Sequence, residues 1–372
     1  MKKIIFLLIL LIVTGAFFWL ALHFEIWPVK TDIQQTTKIN QSLAEGNLLD
    51  FEKWAEQNDQ KARQIREKKA KQKKVSLVAV GDMMLSRRVG QEMVEREDYH
   101  YPFLQVKNYL SQADIGFGNL ESPILPGRPV SSGSFVFRAD PEVAESLAWA
   151  GFDVLNLANN HILNHGADGL LKTFGYLQTN DLKYCGAANS NKSRLDQLAV
   201  IEKKGLKIGF LGYAYGPDYY AATEDASGMF LLKSELASQD IKKAKKKVDF
   251  LVVSMHAGRE YEHTSSIQQQ KFARAAVEAG ADLVIGHHPH VIQEVEEYQG
   301  KYIFYSLGNF VFDQMWSTAT RQGLAVHFII TKEGLQEVDY LPVMIENYAQ
   351  PRLAEKKEKQ EILSHLQLDK LD

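Results

Sequence analysis

The chain has 372 residues, 45% hydrophobic and 24% charged, with a formal net charge of −3. That is the balance of a folded protein long enough for one large domain and an appendage. Of its 43 Lys and Arg residues 13 lie in 1–74, with 8 of its 46 Asp and Glu, so the remainder is acidic by 8 charges, which argues against binding nucleic acid through its backbone. The lone cysteine, Cys185, excludes an intrachain disulfide and suits a small buried residue.

Residues 1–28 read as a transmembrane signal anchor. Lys2 and Lys3 precede residues 4–22, a stretch of 19 without a charge, close to the length of a bilayer-spanning helix. Trp19 and Trp27 fall where interfacial aromatics sit, and no small-x-small cleavage pattern follows. A single pass in the cell membrane with the C-terminal domain outside is therefore expected. Residues 29–74 read as a basic helical stalk or linker, with eight basic residues and one acid over 61–74. Such a run is either a solvated spacer or a contact for an anionic polymer or lipid headgroups.

The pattern changes at residue 75. Short apolar runs at 75–80, 152–157, 249–254 and 282–285 predict strands, and helical periodicity is expected near 141–150, 166–180, 234–247 and 266–279. Strands alternating with helices mean an α/β fold. Later segments read as hairpins, 291–298 with 301–306 about Gln299-Gly300 and 324–331 with 335–342 about Gly334, so the sheets should be mixed. The main domain is placed at 75–345 and a helical tail at 346–372.

Several of these runs end in potential metal ligands: Asp82 after the first, Glu121 after 114–118, Asn160 and His161 after 152–157, His256 after 249–254, and His288 and His290 after 282–285. In open α/β sheets, sites form at the carboxyl ends of strands. Carboxylates, an amide and imidazoles suit Mn, Zn or Fe, and the absence of sulfur excludes a thiolate zinc site. The densest signal is Gly286-His-His-Pro-His290. Alternation along an extended strand end would aim His288 and His290 at one point, with Pro289 stiffening the turn between them. Arg87, Arg138 and Arg259 are candidate anion clamps, Arg259 foremost because it lies three residues from His256. Asn309 is a candidate for orienting a ligand, and Gly308 for a tight turn. Neither a nucleophile elbow nor a phosphate-binding glycine loop is present.

Taken in order, Gly81-Asp82-Met-Met-Leu-Ser-Arg87, Gly118-Asn-Leu-Glu121, Leu157-Ala-Asn-Asn-His161, Ser254-Met-His-Ala-Gly-Arg-Glu-Tyr261, Gly280–His290 and Phe304–Asp313 resemble the CapA/PgsA family of poly-γ-glutamate capsule biosynthesis proteins over residues 75–345. The resemblance implies a metallophosphoesterase-like sandwich of two mixed β-sheets flanked by helices. It places Asp82, Glu121, Asn160, His256, His288 and His290 around one or two divalent ions, with Glu121 as the bridging carboxylate; with such an ion bound, His161 is the expected general acid, and Arg259, from its place beside His256, the expected catalytic anion clamp. Position 84 is Met where related phosphoesterases have His, which leaves one ion a ligand short, and Ala257 replaces a usual Trp. The function implied is an extracellular accessory of poly-γ-glutamate synthesis or export. Its partners would be membrane-bound synthase components, the anionic polymer and the lipid bilayer, with no role for nucleic acid. A surface metallohydrolase acting on cell-wall material, or a non-catalytic scaffold, are the alternatives.

Overall fold

The computed structural model describes residues 56, 59, 60 and 73–368. The chain divides into two units, 1–72 and 73–372. In the first, residues 56, 59 and 60 of the expected stalk are helical, and the expected anchor lies outside the described residues. Among the described residues no helix is long and apolar enough to cross a membrane.

The second unit runs β1 (Val75–Met83), α1 (Arg87–Glu95), α2 (Lys107–Leu110), β2 (Ile115–Leu120), α3 (Val143–Ala150), β3 (Val154–Asn156), α4 (Gly166–Thr179), β4 (Lys183–Cys185) and β5 (Ala187–Ala188). It continues β6 (Ala199–Lys203), β7 (Leu206–Ala214), β8 (Gly228–Met229), α5 (Ser234–Lys245), β9 (Phe250–His256), α6 (Ile267–Ala279), β10 (Leu283–His287), β11 (Val295–Tyr298) and β12 (Lys301–Phe304). It closes with β13 (Asn309–Val311), α7 (Thr318–Arg321), β14 (Gln322–Thr331), β15 (Gly334–Glu346), β16 (Gln350–Leu353) and α8 (Lys356–Ser364).

Two mixed sheets result. One has the order β16-β15-β14-β1-β2-β3-β4, with β13 also on β1; the other is β11-β12-β10-β9-β7-β6. In the first, β1 to β4 pair in parallel and β14, β15 and β16 add an antiparallel side; in the second, β7, β9, β10 and β12 pair in parallel, with β6 and β11 antiparallel at the two edges. Gln299 and Gly300 both take positive φ (52° and 71°), the geometry of a two-residue hairpin turn.

Strand alternation builds the layers. Leu77, Ala79, Ile115 and Phe117 of the first sheet meet Ile208, Phe210, Val252 and Phe304 of the second in one buried cluster, and the Phe117 and Phe210 rings stack across it at 5.3 Å. The opposite face of the first sheet carries Val78 and Val80 against Leu147 of α3 and Leu170 and Phe174 of α4. That of the second carries Leu251 and Val253 against Ile241 of α5 and Phe272 of α6. The second unit is thus a mixed α/β sandwich with helices on both outer faces.

The expected helical tail does contain α8, whose Ile362 joins the core between the sheets. It begins differently, however: β16 pairs with β15 from Val343↔Leu353 to Glu346↔Gln350, carrying the sheet past residue 345. A four-residue edge strand that includes Pro351 shows too little alternation to be read from sequence.

Candidate metal centre

The parallel strands of both sheets end on the same side, and there the polar residues are buried. Asp82, Asn119, Glu121 and His287 are fully buried, and His256 and His290 nearly so. Close backbone approach makes this possible. A Cβ on Gly81 would lie 2.0 Å from the Gly308 carbonyl oxygen, and one on Gly286 2.0 Å from that of Tyr305, so both positions need glycine whatever their φ. Gly308 itself takes φ 69°, the tight turn expected there.

Asp82, at the end of β1, is the hub. Its Oδ1 accepts from Asn119 Nδ2 at 2.8 Å and lies 3.2 Å from His287 Nδ1. Its Oδ2 accepts from the His288 backbone N–H at 3.1 Å and lies 3.4 Å from His290 Nδ1. Burial pushes the Asp82 carboxyl up, but His287 and His290 together outweigh it and hold the group well below the usual carboxylate range. Glu121 behaves oppositely: burial first, then the Asp82 charge, drives it well above that range. Its Oε2 is buried with no hydrogen-bond partner.

Among the described residues two groups of His, Asp and Glu donors are close enough to hold an ion. Asp82, Glu121 and His290 each offer one ligand atom, all within 4.8 Å of one another, and so do Glu260, His288 and His290. His290 belongs to both. The structure therefore gathers four of the six residues expected as ligands and adds Glu260, which from sequence alone is equally a supporting residue of the His256 loop and a plain loop acid.

His256 belongs to neither group. Its Nε2 lies 2.9 Å from Asn160 Oδ1, and its Nδ1 lies 3.2 Å from Asn119 Nδ2 and 3.7 Å from Glu121 Oε1. Burial first, then His288, pulls its pKa well below the ordinary value. Asn160 stands beside the centre through that contact. His161 binds Asn164 Oδ1 through Nδ1 at 3.1 Å and stacks on Phe137 at 3.9 Å. Burial lowers its pKa to about 4, and that of His288 falls to about 4, again chiefly through burial.

His288 and His290 do converge, with ring centroids 6.0 Å apart, but strand alternation is not the cause. Strand β10 ends at His287. His288 and His290 follow it with φ of 98° and 58°, so left-handed backbone on either side of Pro289 aims them. Alternation instead sends His287 inward, toward Asp82 and Phe117. Asn309, expected to orient a ligand, places Oδ1 3.0 Å from His290 Nδ1.

Of the three arginines, Arg259 is exposed, and its side chain makes no hydrogen bond or ion pair among the described residues. Arg138 is occupied elsewhere, by the carbonyls of Leu125 and Arg128 and by Asp140. Arg87 is the one tied to the centre. It pairs with Asp313 and lies over Phe137 at 4.9 Å and Phe312 at 5.6 Å; these rings pack on His161 and His290 respectively. Met84 is fully buried, and its sulfur accepts from the Ser86 backbone N–H at 3.2 Å.

Residues 76–314 match the family described as bacterial capsule synthesis protein, PGA_cap. The chain belongs to this family. Its relatives include the capsule biosynthesis protein CapA of Bacillus anthracis, 35% identical over 285 residues, covering 73% of this chain and 68% of that protein. The PGA biosynthesis protein CapA of Bacillus subtilis is 33% identical over 269 residues, covering 72% and 70%. Among solved structures, a phosphatase from Mycoplasma pneumoniae superposes with a TM-score of 0.49 at 13% identity, covering 78% of this chain and 97% of that one.

The donor set fits a divalent ion. It is built of carboxylate oxygen and imidazole nitrogen, its Asp82–Glu121–His290 group is buried, and it leaves Glu121 Oε2 and His288 Nδ1 without hydrogen-bond partners, a cost that a bound cation would remove.

Proposed function

We propose that this PGA_cap member is a membrane-anchored accessory of poly-γ-glutamate synthesis or export, with a metal-dependent, metallophosphoesterase-like site acting on the anionic polymer outside the cell. The observation that carries the site is the convergence of Asp82, Glu121 and His290 within 4.8 Å beside a buried carboxylate oxygen that has no partner. The role in polymer synthesis is supported by the two Bacillus relatives, which carry the names of capsule and PGA biosynthesis proteins. The anchor is supported by the uncharged stretch at residues 4–22 and the paired lysines before it.

Asp82, Glu121 and His290 would hold the ion, with Glu260 and His288 adjoining. A divalent ion there supplies Lewis acidity toward a phosphoryl or carbonyl oxygen. The chain supplies the rest. Arg87, fixed between Phe137 and Phe312, places a cation behind the two histidines, and His161 presents an imidazole oriented by Asn164 and Phe137 for proton transfer. Tyr261 packs on Trp316 at 4.8 Å and lies 6.2 Å from His290, giving the centre an aromatic edge.

Metal analysis of the purified protein tests this reading. Stoichiometric Mn, Zn or Fe is expected, lost in His290→Ala while the circular dichroism spectrum is kept. Cells lacking the gene should lose capsule, and Asp82→Ala should fail to restore it; full restoration by that variant would refute a metal-dependent role.

A further inference from the structure

The amide of Asn119 occupies an unusual position. Its Nδ2 lies 2.8 Å from Asp82 Oδ1, 3.1 Å from Glu121 Oε1 and 3.2 Å from His256 Nδ1. Three acceptors from three strand ends thus surround one amide nitrogen. Which way a carboxamide points follows from its network, and here backbone groups fix it. Asn156 Nδ2 donates to the Ala158 carbonyl while Asn156 Oδ1 accepts from the Ala158 N–H. Asn159 Nδ2 donates to the Leu120 carbonyl while Asn159 Oδ1 accepts from the His161 N–H. With both so oriented, their NH2 groups face Asn119 Oδ1, at 2.8 and 3.4 Å. Asn119 must therefore turn its own NH2 toward the carboxylates. His256 agrees: with Nε2–H donating to Asn160 Oδ1, its Nδ1 keeps the lone pair that Asn119 meets.

We propose that the Asn119 amide stands where a second cation would otherwise sit, between Asp82, Glu121 and His256, so that each chain holds a single ion. The inference rests on the metal-dependent reading above. The donor groups point the same way. Asp82–Glu121–His290 and Glu260–His288–His290 share His290, and a neutral imidazole has one free lone pair, so the two groups are alternative seats for one ion. The buried Asp82–Glu121–His290 group is the seat, and the amide satisfies the acceptors on its other side without adding charge.

The test counts ions. Full-length protein in detergent is loaded with Mn2+, desalted and assayed for metal per chain, with the electron paramagnetic resonance spectrum recorded. One ion per chain with an uncoupled six-line signal is expected. In Asn119→Asp the two donors become acceptors, still held by Asn156 and Asn159, and two ions per chain with an exchange-coupled signal are expected. Two coupled ions in the wild type would overturn the inference and leave the metal-dependent function standing. No ion in either protein would remove that function and the inference with it. A folded aspartate variant that still holds one ion would also overturn the inference. If the aspartate variant does not fold, Asn119→Ala takes its place: removing the amide should admit a second ion, and a count of one would refute the role assigned to it.

Discussion

Gly212→Ala puts the carboxamide chain under stress from a distance. Gly212 lies in β7 of the second sheet and touches none of the proposed ligands, yet a Cβ there would fall 2.1 Å from Asn156 Oδ1 and 2.9 Å from the Gly186 Cα. Its φ is not in the left-handed region, so the backbone alone would welcome alanine, and an unstrained Gly→Ala change adds about 0.4–1 kcal/mol of stability. Contact decides the sign here. Overfilling a packed interior costs about 1–3 kcal/mol. If Asn156 yields, Asn119 Oδ1 loses its 2.8 Å donor, and a buried acceptor so deprived costs about 1–3 kcal/mol more. A net loss of about 1–5 kcal/mol is expected, read from urea unfolding of metal-free protein by linear extrapolation. Metal affinity should fall as well, because Asn119 is no longer held. A variant as stable as the wild type, or more so, would show that Asn156 does not fix this centre.

Three further outcomes can be checked on the same protein. Phe117→Ala, which empties the space between the sheets beside Phe210, should cost about 3–5 kcal/mol, whereas Phe135→Ala, on a side chain 79% exposed, should stay within about 0.5 kcal/mol of the wild type. Cys185 is fully buried, and burial pushes its thiol pKa up, so iodoacetamide at neutral pH should label it only after denaturation. Glu358 accepts two bonds from Arg352 at 2.8 and 2.9 Å, which lower its carboxyl to about 2 from 4.5. The stability this gives is complete above pH 4.5 and is lost as pH falls toward 2. Glu358→Gln should flatten that part of the acid-unfolding curve, and an unchanged curve would show the pair to be without effect.

The main strands and helices were legible because each carries its own period: 75–80, 249–254 and 282–285 are apolar runs closed by polar residues, and 234–247 and 266–279 repeat at helical spacing. Which strands join which sheet was not, since pairing order is set by contacts distant in sequence. Asp82, Glu121, His288 and His290 could be named because their chemistry is unusual at a strand end. Asn119 and His287 lie within the same quoted motifs but were passed over. Asn119 acts through partners 37 and 40 positions away, and His287 through Asp82, 205 positions away. The one available signal was three asparagines, 119, 156 and 159, at the ends of two neighbouring apolar runs, more amide than turns there require. Glu260 escaped because its neighbours become neighbours only once β9 and β10 lie side by side.

The backbone around Pro289 has a consequence for exchange. Non-glycine residues with φ of 98° and 58° each store roughly 1–3 kcal/mol of conformational energy, which the packing of the fold sustains. The socket is cut during folding, so under the proposed metal-dependent reading a cation would not have to wait for a loop to rearrange. On that reading, discrimination between ions would rest on radius and preferred coordination within a frame the fold has already set.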